Sequence, residues 1–283
     1  MQDHDKTKDQ LIKEDSEMHR RTVDATTVDP ILFGYGAMSL KLAPKDVLAG
    51  VILVCGTITA LIGGLVLVGW GWGWGMLTSV RTDYIPMAPN TALLFILSGI
   101  ALVGGGVWPA NRIIRSSVNG AGLLTLIVTG MSLIGSAFSF DLEIGHWLLP
   151  STGTFDGGPI GHMSPITSFS FIFSGAALLL MGRQTRDPAG ILGTMVMLVG
   201  WVNVTGYWYG APLLYGGTVI PVALPTSLAF MLLGAGLMAA SGFQAWPLSI
   251  LSGPTTRSLL MRGLLPAILV VILIHGLVNL MLL

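Results

Sequence analysis

From Val47 to Leu283 the chain is a succession of long apolar stretches holding no lysine, seven arginines and five acidic residues. A helix needs about 20 mostly apolar residues to cross the hydrocarbon layer of a bilayer. Within that layer only helices and closed barrels satisfy their own backbone hydrogen bonds. Seven segments have the required character: Val47 to Trp70, Thr91 to Trp108, Val118 to Phe138, Pro165 to Met181, Ala189 to Tyr209, Thr226 to Ala240 and Leu264 to Leu283. The sequence therefore predicts an all-α, polytopic membrane bundle of about seven transmembrane helices over residues 47–283, entered from a charged arm at 1–46. That arm alternates lysine and arginine with acids, as a solvated, partly disordered tail does. The first apolar run lies too far behind it to be a signal peptide and is expected to stay as an anchor.

The second, fourth and sixth segments begin at or just after Pro89, Pro165 and Pro225, which suits a first helical turn, where the missing N–H has no partner to lose. Arginine sets the orientation. Arg112 and Arg115, Arg183 and Arg186, and Arg257 and Arg262 fall in alternate loops, so those loops and the arm are expected in the cytoplasm and the carboxyl end on the outer side. Trp70, Trp72 and Trp74, then Phe138, Phe140 and Trp147, then Tyr207, Trp208 and Tyr209 crowd the opposite ends, as an interfacial aromatic belt would. The glycine-tryptophan alternation from Gly69 to Gly75 reads as such an anchor where the first helix ends.

An internal repeat organises the chain. MAPNTALLFILSGIAL from Met87, MSPITSFSFIFSGAAL from Met163 and VALPTSLAFMLLGAGL from Val222 align without gaps. They share Thr91, Thr167 and Thr226; Phe95, Phe171 and Phe230; Gly99, Gly175 and Gly234; and Leu102, Leu178 and Leu237. This divides the body into three helical hairpins, about 47–108, 118–181 and 189–240, and a last helix at 264–283. Threonine, phenylalanine and glycine at i, i+4 and i+8 lie on one helix face. The glycines suit close approach of a neighbouring helix. The threonines either cap their helices or line a shared outward-facing pocket with Asn90.

Chemistry-bearing residues are few. No Asp, Glu, Lys or Arg falls mid-span, which argues against ion-coupled transport. His275 and Asn279, four residues apart on one face of the last segment, suit a helix contact or a partner. His146 and His162 share the longest outer loop with Asp141, Glu143 and Asp156, but their spacing recommends no metal site. They stay as ligand candidates. Cys55 is the single cysteine, so a disulfide within the chain is impossible. No hydrolase, zinc-protease or phosphate-loop signature occurs. No enzyme activity, cofactor or metal is expected, and with balanced charge and no basic patch, no nucleic acid. The expected partners are the bilayer and a protein within it.

MAPNTALLF, MSPITSFSF and VALPTSLAF, with YWYGAPLLYG from Tyr207 and SGPTTRSLLMRGLLP from Ser252, resemble the multi-span membrane input region of bacterial sensors that carry PAS, histidine-kinase or diguanylate-cyclase output domains. The resemblance spans about Val47 to Pro266. It implies a bacterial inner-membrane location and a sensory or ligand-binding module. Two departures qualify it. The family commonly has histidine where Pro225 stands and asparagine where Ile166 stands, so a polar sensing ring would be depleted here. Its members also continue into a cytoplasmic output domain, whereas this chain reaches Leu283 without one. The alternative expectation is a structural accessory subunit of a larger membrane complex, photosynthetic or respiratory.

Overall fold

The computed structural model describes residues 44–81, 84–138, 154–155, 158–159, 162–183, 185–210, 220–252 and scattered positions between 256 and 275. The chain divides into Met1–Lys41 and Leu42–Leu283, and every described residue belongs to the second unit. The expected arm up to residue 43 lies outside the described residues, as do His146 and Asn279.

The described elements are α1 (Pro44–Trp72), α2 (Gly75–Ser79), α3 (Pro89–Val107), α4 (Arg112–Phe138), β1 (Thr154–Phe155), β2 (Gly158–Pro159), α5 (Pro165–Gly182), α6 (Arg186–Trp208), α7 (Leu224–Ser241) and α8 (Leu248–Ser252). The two strands form one short antiparallel ladder, Thr154 opposite Pro159 and Phe155 opposite Gly158. Six helices, α1, α3, α4, α5, α6 and α7, are long and apolar enough to cross a membrane. The last expected span lies mostly outside the described residues. Its described helical positions run from Thr256 to His275, so helix begins well before Leu264. Hydropathy sees only the apolar part of a helix, and for the same reason α1, α4 and α6 start several residues before their apolar stretches, taking in Asp46, Arg112 and Arg186.

The six helices form two layers around one axis. In their most apolar stretches α3, α5 and α7 have 50, 50 and 61% of residues buried, against 33, 39 and 39% for α1, α4 and α6. The first three are therefore the inner set. Each outer helix packs most extensively on the inner helix that follows it in sequence, α1 on α3, α4 on α5 and α6 on α7. Each also leans on a second inner helix: α4 on α3, α6 on α5, and α1 on α7. That last contact closes the ring. The outward side chains of the outer set, such as Val54, Leu61, Leu123 and Leu198, are apolar and exposed, as contact with lipid requires.

At the centre Phe95, Phe171 and Phe230 are fully buried and touch one another. Their ring centroids are 4.7, 4.7 and 4.8 Å apart, with planes inclined by 52 to 65°. Inclined rings at this distance set edge against face, worth about 0.5–1.5 kcal/mol per pair beyond burial. Leu102, Leu178 and Leu237 continue the core about two turns further on.

Glycine holds each outer helix to its inner neighbour. A methyl group added at Gly99 would lie 2.5 Å from the Gly56 carbonyl oxygen, and one at Gly175 would lie 3.0 Å from that of Gly122. At Gly234 it would collide with the Met197 amide and lie 2.6 Å from the Gly193 carbonyl. Seven residues along the outer helices the contact recurs, Gly63 against the Ala92 carbonyl and Gly200 against that of Ser227. The corresponding place in α4 is held by Thr129, whose hydroxyl donates back to the Thr125 carbonyl at 2.6 Å.

Gly234→Ala is therefore expected to lower the midpoint of thermal unfolding in detergent by several degrees, because backbone atoms that cannot yield must move. Gly64→Ala, which meets nothing within 4 Å, is expected to leave it unchanged or raise it through better helix propensity. Equal effects at the two sites would contradict this packing.

Candidate ligand site at the aromatic end of the bundle

The three inner helices start alike. Ala88, Ser164 and Ala223 are their N-caps, each extended with ψ between 142 and 148°, and a proline follows at the first or second helical position. Ala88 and Ser164 directly precede the proline, and extended backbone is what that position prefers. None of these three N-cap residues makes a side-chain capping hydrogen bond. Thr91, Thr167 and Thr226 stand at the third helical position, inside the first turn, so none of them is the N-cap residue itself.

Aromatic tethers fix the corners. The Trp70 indole N–H donates to the Met87 carbonyl at 2.8 Å, and the Tyr207 hydroxyl donates to the Val222 carbonyl at 2.7 Å. Met87 and Val222 are equivalent positions in the aligned segments. Each bond ties the end of an outer helix to the extended strand that leads into its inner partner. Trp70 thus serves as a tether as well as a belt residue, while Trp72 and Trp74 are exposed on either side of the turn at Gly73. Tyr84 packs edge-on against Tyr207 at 4.9 Å, with the Arg81 guanidinium 5.5 Å from its ring centre.

Between these corners lies a rim of neutral polar groups. Asn90, Thr91, Thr167 and Thr226 are all buried, at 2–4% exposure. The threonines sit one turn, about 6 Å, beyond the phenylalanine trio on the same faces. Two further hydroxyls belong to this end: Ser164, the N-cap of α5, and Ser168 in its first turn are buried without a hydrogen-bond partner. Deeper in α3, Ser98 is also unpartnered, although its counterpart Ser174 donates to the Ser170 carbonyl at 2.8 Å. A buried polar atom left unpaired costs about 1–3 kcal/mol, so such atoms mark where a polar group is accepted. The N-terminal ends of three helix dipoles flank the same axis and favour electron-rich groups. The arrangement can hydrogen-bond a small polar molecule but supplies no acid or base.

The remaining predicted residues lie elsewhere. Gly99, Gly175 and Gly234 are at the helix seams. His162 is half-buried just before α5. His275 is exposed, with its ring 5.7 Å from that of Tyr209, whose hydroxyl donates to the Ile272 carbonyl at 3.3 Å. Among the described residues no group of three His, Cys, Asp or Glu side chains is placed to hold a metal. The sequence reading missed Ser164 and Ser168, which look like ordinary small residues until their surroundings are known. It also missed Gly56, Gly122 and Gly193, findable only by aligning the outer helices as well. No protein family, curated protein or solved structure matches the chain.

Tyr207→Phe removes one buried hydrogen bond and is expected to cost about 0.6–1 kcal/mol, read as a lowered unfolding midpoint. Trp208→Phe, on a neighbouring half-buried side chain, serves as the control.

Proposed function

We propose that this chain is a non-catalytic sensory or ligand-binding module of a bacterial inner membrane, built as three helical hairpins and a C-terminal seventh span. The observation that carries this reading is the rim of buried neutral polar groups, including the unpartnered Ser164 and Ser168 hydroxyls, set above a closed phenylalanine floor. The ligand it suits is small, uncharged and rich in hydrogen-bond acceptors, because the groups on offer are hydroxyls, one carboxamide and the N-terminal ends of three helices. Support for the hairpins comes from the pairing of α1 with α3, α4 with α5 and α6 with α7, and from the equivalent burial of the aligned Thr, Phe, Gly and Leu residues. The resemblance to sensor input regions points the same way. The accessory-subunit reading has no comparable support, since the exposed apolar faces of α1, α4 and α6 suit lipid as well as protein.

Thermal unfolding in detergent, followed by tryptophan fluorescence across a panel of polyols, amides and amino acids, tests the site. At least one compound is expected to raise the wild-type midpoint by several degrees through preferential binding to the folded state. The Thr91→Val, Thr167→Val, Thr226→Val triple variant is expected to lose that response. A flat panel, together with stoichiometric co-purification in a larger membrane complex, would instead establish the accessory role.

The proposed orientation has the arm in the cytoplasm and the carboxyl end in the periplasm. Alkaline phosphatase fused after Leu283 should be active, and fused after Arg183 silent. The reverse pattern would invert the orientation.

A further inference from the structure

The opposite end of the bundle holds a cavity of about 200 Å³. Its walls come from both layers: Ile52 of α1, Gly106 of α3, Met181 of α5, Ala189 of α6 and Ala240 of α7, with Arg186 at the start of α6 as its charged member. A smaller cavity of about 20 Å³ shares Gly105, Pro109 and Met181 with it and is edged by Trp108 and Arg115. Arg186 therefore lines the larger, largely apolar recess, and Arg115 edges the smaller one that shares a wall with it. The Arg115 guanidinium donates to the Pro109 carbonyl at 3.2 Å, which holds it to the shared wall. The Arg186 guanidinium lies beside Gly242, where an added methyl group would be 3.6 Å from Nη1. Among the described residues neither arginine forms an ion pair with a carboxylate.

We propose that this recess binds an anionic phospholipid, its phosphate held by Arg186, with Arg115 adding positive charge from the adjoining recess, and the first carbons of its tail lying on the apolar wall. Guanidinium is the side chain best shaped for phosphate, offering paired donors in one plane. Basic pockets between membrane helices at the cytoplasmic side are where anionic headgroups are taken up. Size fits the assignment. A cavity of about 200 Å³ has room for a headgroup phosphate and its nearest carbons but not for a whole lipid. The site resists a small anion without a tail, because the C-terminal ends of α3, α5 and α7 point here and their dipoles oppose negative charge. Contact of the tail with the wall is what tips binding toward a lipid.

The test uses the full chain in a neutral detergent, with unfolding measured against added phosphatidylglycerol, phosphatidylcholine of the same acyl chains, or inorganic phosphate. Phosphatidylglycerol is expected to raise the midpoint saturably, with phosphatidylcholine and phosphate giving little. Arg186→Gln is expected to weaken the phosphatidylglycerol response at least tenfold in concentration, while Arg112→Gln, away from the recess, retains it. Ala240→Phe fills the apolar wall without touching the charges and is expected to abolish the response, which keeps the test decisive if Arg186→Gln fails to fold. An equal response to both lipids, a full response from Arg186→Gln or Ala240→Phe, or a shift reproduced by phosphate alone would overturn the assignment.

Discussion

Backbone lying directly on backbone, glycine to glycine, is the contact on which the rest of this bundle depends. In lipid, a leucine gains nothing by leaving its surroundings for another helix, so association rests on how closely two surfaces fit. Gly56 with Gly99, Gly122 with Gly175 and Gly193 with Gly234 remove the side chains that would hold the helices apart. Once each outer helix is drawn in this far, its inner partner has one face left for the axis. The phenylalanines occupy that face. Three rings meeting near 4.7 Å leave no room for a central channel, so the axis is a plug and the bundle has two separate ends.

The two ends acquire opposite chemistry from one fact, that the inner helices all run the same way. Their N-termini, with prolines, hydroxyls and Asn90, gather at the aromatic end. Their C-termini gather at the end where the arginines lie. One end thus offers neutral hydrogen-bonding groups and positive dipole ends, and the other offers carbonyls with guanidiniums beside them. Three parallel helices without mid-span charge polarise the bundle by backbone alone.

Much of this was legible in the sequence. Six spans could be placed within a few residues, and the aligned Thr, Phe, Gly and Leu positions marked the faces that the structure buries. Phenylalanine and glycine at i+4 and i+8 can only share a face. What the alignment could not supply was the identity of the neighbours. The Gly99 partner, Gly56, lies on an outer helix where glycines that pack on a neighbour, Gly56 and Gly63, stand in the same apolar run as one that meets nothing, Gly64. The threonines were open to a capping role because composition around a proline does not tell the N-cap from the third position. That difference came down to where the first helical turn begins. Ser164 and Ser168 were invisible for another reason: an unpaired hydroxyl is a property of its surroundings, whereas Ser170 and Ser174 in the same helix return their protons to the preceding turn.

The contact between α7 and α1 carries a consequence for biogenesis. These helices are far apart in the chain, yet Gly236 sits where an added methyl group would meet the Cys55 side chain at 3.1 Å. As spans leave the translocation machinery in order, α1 and α3 can pair at once, and α4 and α5 can join them. One flank of α1 and one of α5 must stay covered by lipid or a chaperone until α6 and α7 arrive. A ribosome stalled before α7 would leave in the membrane an open crescent with two sticky edges. Closure of the ring therefore waits on α7, the last of the six described spanning helices to be made.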